Sequence, residues 1–415
     1  MGKILLKNCE KIHTLDNNLQ DILGTLDGHS ILIDEEVVKR IDKYENLLDL
    51  LDDETKIIEC KGKSVLPGFV DPHTHLVFGG DRKEEYMARL TINDAEAIQE
   101  IAGTLGMAGS VEKTKAAGFD GLIESSIDKL NNLLINGITT VEIKSGYGID
   151  KDTELMQLRV IQELKNKVPQ TLIATYLGGH DWDKEMGKDA YVDFCINEVM
   201  PVIEKEKLAD MADIWVEEQF FSVEQGRRYL KAAKKHGING TIHGNELSSV
   251  GASKMAAEEG VYSVAHLNYL TDEEIDLMIE NDVVGILLPT TDYVKQYMDV
   301  LADGRKFIDK GMTVAMATNI NPGNYTVSMS LVMNMACRNH GLSGEEALKG
   351  ATVNAAKALR IDDKYGTIEE GKFADIQIWD TNDFRDVIYK QGVNYVNTVI
   401  KHGQIVVEEG VISYL

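Results

Sequence analysis

The segment Pro67–Leu76, with the sequence PGFVDPHTHL, decides the fold that we predict for this chain. The apolar run Ser64–Val70 leads into two histidines, His73 and His75, that are separated by one residue. Residues i and i+2 of an extended chain point the same way, so both imidazoles can reach one point beyond the end of a strand. Neutral imidazole is a common ligand of zinc and similar metals. A single His-x-His pair is a weak motif, and the rest of the chain has to support it.

The chain between residues 64 and 361 alternates apolar, β-branched runs with longer segments such as Ser222–His236 and Asp272–Glu280 that have helical spacing. Buried strands that alternate with helices indicate a parallel sheet. About eight repeats over roughly 300 residues favour an α/β fold of the closed (β/α)8 TIM-type barrel class. No Gly-x-Gly-x-x-Gly motif follows these runs, which argues against a dinucleotide-binding fold. The predicted strands are Ser64–Val70, Ile138–Ile143, Thr171–Leu177, Asp213–Phe221, Gly240–His243, Tyr262–Leu267, Val283–Leu288 and Thr313–Thr318.

Both ends of the chain are rich in short β-type runs that are separated by glycines and acidic turn residues. We therefore predict that residues 1–63 and 362–415 together form one small β-sandwich domain, and that residues 64–361 form the barrel. The segment 81–125 is the longest insertion and follows the first barrel strand. We expect it to act as a lid over the site or as a dimer contact.

The composition is that of a soluble globular protein, with 43% hydrophobic and 27% charged residues. A formal net charge of -25 argues against nucleic acid or an anionic membrane as a partner, because phosphate contacts need clustered Lys and Arg. No apolar run approaches the roughly 20 residues of a membrane span, and the first residues lack the apolar core of a signal peptide. The cysteines have no paired spacing, which is typical of a reducing cytoplasm, where we place the protein. They are Cys9, Cys60, Cys195 and Cys337.

Histidines follow several of the predicted strands at the point where each strand ends. Catalytic groups of (β/α)8 barrels lie at these carboxyl ends. A single histidine in such a place is more often structural than a ligand, but five imidazoles at one barrel mouth favour a metal site. The five are His73, His75, His180, His243 and His266.

The order of these motifs resembles the amidohydrolase superfamily and, within it, the imidazolonepropionase family. The resemblance covers most of the chain. The stretch Lys144–Gly148 (KSGYG) and the Asn-Pro-Gly of residues 321–323 are specific to that family. Other matching stretches are Pro67–Leu76, His75–Arg82, Glu142–Gly148, Leu177–His180 and Met333–Cys337.

The resemblance implies an enzyme that hydrolyses a carbon–nitrogen bond of a cyclic amide. The implied reaction opens 4-imidazolone-5-propanoate to N-formimino-L-glutamate in histidine degradation, through hydroxide on one divalent ion, zinc or iron. It also implies that the protein is a homodimer and that it binds a small cyclic amide that carries a carboxylate. By position, the implied metal ligands are His73, His75, His243 and Asn319, the implied catalytic residues are Glu246, His266 and Asn319, and the implied substrate-binding residues are Arg82, Tyr147, His180, Asn321 and Gly323.

Two positions depart from the family pattern. Asn319 stands where the family has an aspartate, and Ala95–Ile101 contains no tyrosine, although the family has one near Ile98. An amide oxygen can ligate a metal weakly, but it cannot accept a proton from water as a carboxylate does. If the aspartate is the family's base, the activity of this chain is impaired. If Glu246 or His266 is the base, Asn319 marks a different substrate.

The residues themselves also suggest a mechanism. A zinc or iron ion with an open coordination position lowers the pKa of bound water to about 7. Glu246, three residues after His243, can carry a proton to the departing nitrogen, and we prefer this role to the alternative of an acid that is favoured by the dipole at a helix start. Arg82 offers a planar fork that suits a carboxylate. A carbamylated Lys144 bridging two ions is an alternative, but Lys144 follows the second strand rather than the fourth, so we predict one ion.

Two further functions stay open at this point. The first is a related amidohydrolase that acts on another ring, such as a hydantoin or thiohydantoin acid, or an aminohydrolase, since the His-x-x-Glu of His243–Glu246 also suits deaminases. The second is a barrel that binds a ring acid without turning it over because Asn319 replaces the metal-binding aspartate.

Overall fold

Two sheets organise the chain. The computed structural model describes residues 2–19, 21–294 and 300–414, and within these ranges it contains seventeen strands. The first five are β1 (Ile4–His13), β2 (Thr25–Asp34), β3 (Val37–Asp42), β4 (Lys56–Glu59) and β5 (Ser64–Pro67). The next eight are β6 (Phe69–Asp71), β7 (Ile138–Lys144), β8 (Thr171–Gly179), β9 (Met211–Val216), β10 (Asn239–Gly244), β11 (Ser263–His266), β12 (Val284–Leu287) and β13 (Val314–Met316). The last four are β14 (Ile376–Trp379), β15 (Val396–Lys401), β16 (Gln404–Glu408) and β17 (Val411–Ile412).

Helices connect the strands, and side-chain caps begin several of them. Ser222 and Thr271 each form a capping box with the glutamine or glutamate three residues later, which explains why two helices begin where the sequence predicts. Within the described ranges the helices are α1 (Lys83–Arg89), α2 (Ala95–Ala102), α3 (Gly106–Ile135), α4 (Lys151–Leu164), α5 (Lys188–Phe194), α6 (Met200–Glu206), α7 (Val223–Lys235), α8 (Ala252–Glu259), α9 (Asp272–Glu280), α10 (Pro289–Val294), α11 (Gly304–Asp309), α12 (Met329–His340), α13 (Gly344–Gly350), α14 (Val353–Ala358) and α15 (Phe384–Tyr389).

The strands β6 to β13 pair in parallel and in chain order, which confirms the predicted barrel. Backbone hydrogen bonds just beyond β6 and β13 bring the two ends of this sheet together. The amide of Asn319 donates to the carbonyl of His73 at 3.2 Å, and the amide of His75 donates to the carbonyl of Ile320 at 2.9 Å. The predicted ligand positions of the first and last strands are therefore held side by side.

The run Ser64–Val70, which the sequence presents as one barrel strand, is two strands. β5 pairs with β1 and β14 in the sheet of the chain termini, whereas β6 pairs with β7. Gly68 lies between them, and a Cβ at this position would be 2.2 Å from Oγ1 of Thr139. Only glycine lets the backbone pass so close to β7, and the chain enters the barrel at Phe69.

The remaining strands come from both ends of the chain and form one nine-stranded sheet within the described ranges. β5 pairs antiparallel with β14, which joins the amino-terminal and carboxyl-terminal segments directly. Apolar side chains from both segments share one core that includes Ile4, Ile33, Ile376 and Ile400. The prediction that both termini build one small β domain is confirmed. The boundaries 1–63 and 362–415 against 64–361 stay a prediction.

The insertion 81–125 contains α1, α2 and the first part of α3, which is interrupted at Gly118, where φ is +63°. The segment Ser126–Ile135 is the end of α3. None of the helices in the described ranges combines the length and apolarity that crossing a membrane requires.

Candidate metal centre and active site

Five histidine side chains meet at the carboxyl end of the barrel. His75 stacks on His180 with 4.8 Å between ring centroids, and His73 lies 4.5 Å from His243 by the same measure. The ring of His266 lies 5.3 Å from that of His243. All five are buried. The structure therefore brings together every histidine that the sequence placed at this mouth.

A metal ion fits one group of these histidines in particular. One ring nitrogen of each of His73, His243 and His266 lies within 4.8 Å of the others. The Nε2 atom of His75 is 3.2 Å from Nε2 of His243, so His75 borders the same point. The predicted histidine ligands are His73, His75 and His243, whereas this group contains His266 in place of His75. The imidazoles of His75 and His266 both lie close to His243.

Buried polar atoms without partners support the same conclusion. Both ring nitrogens of His73, Nδ1 of His75 and Oδ1 of Asn319 have no hydrogen-bond partner among the described residues. Leaving buried polar atoms unsatisfied is costly. Neutral nitrogens and an amide oxygen are donors that suit a divalent cation. The residues present therefore fit a divalent metal ion.

Burial also keeps these imidazoles in the form that binds metal. Desolvation and the nearby cationic Lys144 lower the pKa of His73 well below its usual value. Desolvation and the neighbouring histidines do the same to the pKa of His75. A histidine must be deprotonated at the nitrogen that ligates a metal, so both side chains are poised to bind at neutral pH.

Asp213 fixes the orientation of His243. Its carboxylate accepts a hydrogen bond from Nδ1 of His243 at 3.1 Å, which leaves Nε2 for the centre of the group. Burial alone would raise the pKa of Asp213, but His243 and Lys144 outweigh it and hold that pKa below the usual value. A carboxylate that orients a ligand histidine is a common supporting contact in metal sites.

Lys144 joins this carboxylate to a second one. Its ammonium lies 2.8 Å from Glu142 and 3.0 Å from Asp213, and all three side chains are buried. Burial opposes the charge on Lys144, yet the two carboxylates raise its pKa above the usual value. Glu142 in turn accepts a hydrogen bond from the amide of Thr74, between the two histidines of the opening motif. One buried charge cluster thus supports both His73-Thr74-His75 and His243.

Asp71 holds the two ends of the barrel together below the histidines. Its carboxylate accepts hydrogen bonds from the amide and the hydroxyl of Thr318, the residue before Asn319. Burial raises the pKa of Asp71 to about 7. The sequence did not identify this role, because Asp71 and Thr318 are distant in the chain.

Glu246 and His266 face each other at the same mouth. Oε2 of Glu246 lies 3.4 Å from Nε2 of His266, and both side chains are buried. The backbone of Glu246 is held by Glu217, whose Oε1 accepts hydrogen bonds from the amides of Glu246 and Leu247 at 2.6 and 3.1 Å. The structure therefore places the two predicted acid–base residues next to each other and next to the histidine group.

Asn319 adopts a left-handed backbone conformation with φ of +49°, which asparagine tolerates better than most residues. Its Nδ2 donates to the hydroxyl of Thr291 at 2.7 Å, which directs Oδ1 the other way. An aspartate would fit this position with the Thr291 hydroxyl as donor, since a hydroxyl can both donate and accept. The site thus keeps the shape that an aspartate needs, although the residue is an amide.

Arg82 lies against the loop that follows β13. The backbone of Arg82 donates to the carbonyl of Pro322, and a Cβ at Gly323 would be 2.7 Å from Nη2 of Arg82. Nε of Arg82 is buried without a partner among the described residues. Asn321 builds the loop itself, since its Oδ1 accepts from the amide of Gly323 at 2.8 Å. These three predicted substrate-binding residues are therefore neighbours.

Tyr147 and His180 form the opposite wall. The Tyr147 ring lies 6.0 Å from that of His75 and 5.4 Å from that of His180. Nδ1 of His180 is 3.2 Å from the carbonyl of Gly146, which can accept a hydrogen bond from Nδ1–H and leave Nε2 for the cavity. Burial lowers the pKa of His180 to about 3. Gly146, with φ of +112°, allows this turn.

The side chains surround a cavity of about 240 Å³. Its wall includes four residues that sequence reasoning did not select. Trp215 and Phe220 stack with 3.6 Å between centroids, while Thr291 supports Asn319 and Met107 comes from the insertion. Thr291 follows a strand end, which is a feature that sequence reasoning could have used. Met107 and Phe220 have no polar group that would mark them in a sequence, and the only polar group of Trp215 is its indole N–H.

A second cavity of about 570 Å³ adjoins the first and shares Arg82, Thr291 and Asn321 with it. Its wall is formed largely by residues 82–106 of the insertion, on α1, on α2 and between and after these helices. Ile98, near which the family has a tyrosine, is buried in this wall, and Tyr86 lines the same cavity. The insertion therefore borders the site, as a lid would, and its closing motion stays a prediction.

Comparison with known proteins adds the family. The model of the Amidohydrolase family matches residues 202–406. The chain is 39% identical over 394 residues to the imidazolonepropionase of Brevibacillus brevis, an alignment that covers 94% of this chain and 92% of the relative. It is 36% identical over 415 residues to the imidazolonepropionase of Clostridium tetani, covering 98% of each chain.

Solved structures support the fold. An atrazine chlorohydrolase mutant from Arthrobacter aurescens TC1, complexed with zinc and atraton, superposes with a TM-score of 0.74 at 20% identity and covers 99% of this chain and 97% of its own. An adenosine deaminase from Xanthomonas campestris with bound zinc superposes with a TM-score of 0.73 at 14% identity and covers 100% and 95%. The sequence relatives show that the chain belongs to the imidazolonepropionase family of amidohydrolases.

Proposed function

We propose that the protein is a metal-dependent hydrolase that opens the five-membered cyclic amide 4-imidazolone-5-propanoate to N-formimino-L-glutamate. The observation that carries this proposal is the convergence of three elements on one cavity. These are the histidine group around His243, the Glu246–His266 pair and the guanidinium of Arg82. Hydrolysis of a ring amide needs an activated nucleophile, a proton carrier and a group that orients the acid, and the cavity supplies a candidate for each.

The substrate's orientation follows from the walls of the cavity. Arg82 can bind the propionate carboxylate, since its fork is held against Gly323 and its Nε lacks a partner among the described residues. Tyr147 and the Nε2 of His180 border the space between Arg82 and the histidine group. A ring bound there has its carbonyl directed toward His73 and His243. The stacked Trp215 and Phe220 form an apolar wall that limits the entry of water.

The metal ligands that we propose are His73, His75 and His243, with Asn319 as a weak oxygen ligand and His266 close enough to assist. A divalent ion bound there, zinc or iron, supplies a Lewis acid that activates water toward a carbonyl carbon. The support for a single ion is that the ammonium of Lys144 is engaged by Glu142 and Asp213. A lysine in two buried ion pairs is not available as a carbamylated bridge.

Proton transfer falls to Glu246 and His266. Glu246 can hold the proton that leaves the attacking water and deliver it to the ring nitrogen that departs. His266, 3.4 Å from Glu246, can polarise the carbonyl or steady the glutamate in its place. Because Asn319 cannot accept a proton, the carboxylate of Glu246 is the base that we assign to this chain.

The test is a purification with metal analysis followed by a turnover assay on the imidazolone. We expect about one divalent ion per chain and measurable turnover. Glu246→Gln should retain the metal and lose turnover by about 100-fold or more. Asn319→Asp should raise both metal affinity and turnover by orders of magnitude. His236→Gln is a matched control, because His236 lies on the barrel exterior beside Glu204.

The outcomes separate the hypotheses. Stoichiometric metal and binding of the ring acid without turnover, even in Asn319→Asp, would exclude the proposed reaction for this chain. No change on Asn319→Asp together with substantial wild-type turnover would show that position 319 does not limit catalysis. Retained turnover in Glu246→Gln would remove Glu246 as the base.

We also propose that the protein is a cytoplasmic homodimer. Support for the dimer comes from exposed apolar side chains on the insertion, namely Met87, Leu90 and Ile101, which are 62%, 46% and 57% exposed. Exposed apolar surface that forms a patch is typical of interaction sites. Light scattering after size-exclusion chromatography should give twice the chain mass of 46.1 kDa. A monomer at micromolar concentration would contradict the dimer, and cell fractionation tests the location.

A further inference from the structure

Two cysteines that the sequence presents as unrelated lie side by side in the terminal sheet. Between Leu6 and Cys9, β1 advances three residues while the paired strand β2 advances two, from Ile31 to His29. The extra residue is accommodated by Asn8, which has φ of +54°. This irregularity is a β-bulge, which changes the direction in which the following side chains point.

The bulge places Cys9 opposite Cys60, the residue that follows β4. The amide of Cys60 donates to the carbonyl of Lys7 at 2.8 Å, and its carbonyl accepts from the amide of Glu10 at 3.4 Å. Cys60 therefore spans both bulged residues, Asn8 and Cys9. Neighbouring strands lie about 4.8 Å apart, within the range of about 4.4 to 6.8 Å between Cα atoms that a disulfide spans.

The two side chains also point into the same core. Cys9 and Cys60 are both fully buried and belong to one apolar cluster of the terminal sheet. Their thiols are within hydrogen-bonding reach, and this contact together with burial raises the pKa of Cys9 well above its usual value. A thiol with a raised pKa reacts slowly, so the pair stays reduced while the sheet is closed.

β4 gives an oxidant its route to the pair. It pairs with β1 alone within the described ranges, and its Ile57 is 51% exposed. A short strand at the edge of a sheet opens more easily than its centre. Opening of β4 exposes Cys60 first, because Cys60 is the residue at its end.

We propose that Cys9 and Cys60 are an oxidative modification site that hydrogen peroxide converts to a disulfide. The Cys60 thiolate attacks one peroxide oxygen, which gives a sulfenic acid and, after protonation, one water. The Cys9 thiol then attacks that sulfur and expels a second water. Two thiols and one peroxide thus become one disulfide and two waters, and the bond ties edge strand β4 to β1.

The other two cysteines provide an internal comparison. Cys195 is buried in the barrel, and its Sγ lies 3.8 Å from the carbonyl of Gly178. Cys337 is partly exposed on α12, with its Sγ 3.5 Å from the carbonyl of Ser343. Accessibility alone would make Cys337 the first to react. Proximity predicts instead that the disulfide joins Cys9 to Cys60.

The experiment treats the full-length protein with hydrogen peroxide, removes the peroxide with catalase, blocks free thiols in denaturant and digests with trypsin without reduction. Cleavage after lysine releases Asn8–Lys11 and Ile57–Lys61 as separate peptides in the reduced protein. We expect mass spectrometry to find them joined after oxidation, and separate again after dithiothreitol. Cys195→Ala should preserve the linked species, and Cys60→Ala should abolish it.

A second measurement does not depend on the variants. Closing the loop between residues 9 and 60 should raise the Tm of the oxidised wild-type protein by roughly 5 °C, reversibly with dithiothreitol. The proposal would be overturned if Cys9 and Cys60 were found alkylated and not joined to each other at a peroxide dose that oxidises Cys337. So would a linked pair that includes Cys195 or Cys337 as the main product.

Discussion

Two buried lysines lie at opposite ends of the barrel, and their surroundings differ. Lys144 is at the carboxyl end of β7, where its ammonium contacts the carboxylates of Glu142 and Asp213. Lys401 is at the end of β15, where it contacts one carboxylate, Asp375, and the hydroxyl of Thr171 at the start of β8. The two carboxylates raise the pKa of Lys144, whereas burial outweighs Asp375 and lowers the pKa of Lys401.

The difference separates a functional charge cluster from a structural one. Lys144 with two carboxylates leaves one net negative charge beside the histidine group, which favours a bound cation. Lys401 with Asp375 is a neutral pair that joins the terminal sheet to the amino end of the barrel. A buried ion pair is by itself weak evidence for stability. The net charge of the whole cluster indicates whether a buried ion pair supports a metal site.

Removing Lys144 should have the largest effect. Lys144→Met leaves Glu142 and Asp213 buried without a cation, which should lower the free energy of unfolding by about 5 kcal/mol, the upper end for a broken buried pair. Urea unfolding measures the loss. Lys144→Arg, which keeps the charge, should recover part of it. A loss below about 1 kcal/mol would show that the carboxylates take up protons or water without cost.

Removing Lys401 should destabilise the protein less and leave the site intact. Lys401→Met leaves the carboxylate of Asp375 buried without its cation, so we expect the free energy of unfolding to fall by about 3 kcal/mol. Metal affinity, measured by competition with a chelating dye, should match the wild-type value because the pair is remote from the histidines. A large drop in affinity would mean that the two ends of the barrel are coupled.

Asp213→Asn tests the functional side of the comparison directly. An amide can still accept from Nδ1 of His243, but it removes the negative charge beside that ligand, so metal affinity should fall by about 10- to 100-fold. Asp375→Asn is the matched control and should leave metal affinity unchanged. Equal effects of the two variants would contradict the distinction between the clusters.

Alkaline titration should reveal the opposite pKa shifts, with the smallest effect. The pKa of Lys401 is lowered from 10.5, so just below pH 10.5 the unfolded chain binds more protons at this residue than the folded one. Its contribution to stability therefore rises with pH there, by up to about 1.4 kcal/mol per pH unit. The pKa of Lys144 is raised, so its contribution is complete below pH 10.5 and is lost above it.

The measurement is the difference in unfolding free energy between wild type and each Met variant across this range. For Lys401→Met the difference should increase toward pH 10.5, and for Lys144→Met it should stay level. If the difference in unfolding free energy for Lys401→Met did not change with pH, the ion pair with Asp375, rather than burial, would determine the pKa of Lys401.

Much of the fold was predictable from the sequence because its signals are local. Apolar periodicity located the barrel strands, and caps such as Ser222 and Thr271 located helix starts. The split of Ser64–Val70 into β5 and β6 was not predictable. An unbroken apolar run does not show that Gly68 passes within contact distance of Thr139 on another strand.

The site was predictable to the extent that its residues follow strands. His73, His180 and His266 were located in this way, and the structure brings them to one mouth. The charge cluster of Glu142, Lys144 and Asp213 was not identified, because its members lie on β7 and β9, which are separated by β8, and meet only through the register of these three strands. The proximity of Cys9 to Cys60 likewise depends on a bulge that the sequence does not mark.

The sequence by itself determined the type of each main element and which histidines stand at strand ends, starting with Pro67–Leu76. These properties depend on side-chain period and turn chemistry over a few residues. Only the tertiary structure decided which imidazole nitrogens face one another and that His266 joins His73 and His243. Those distances depend on how far each strand is shifted against its neighbours around the barrel, which no local stretch of the chain encodes.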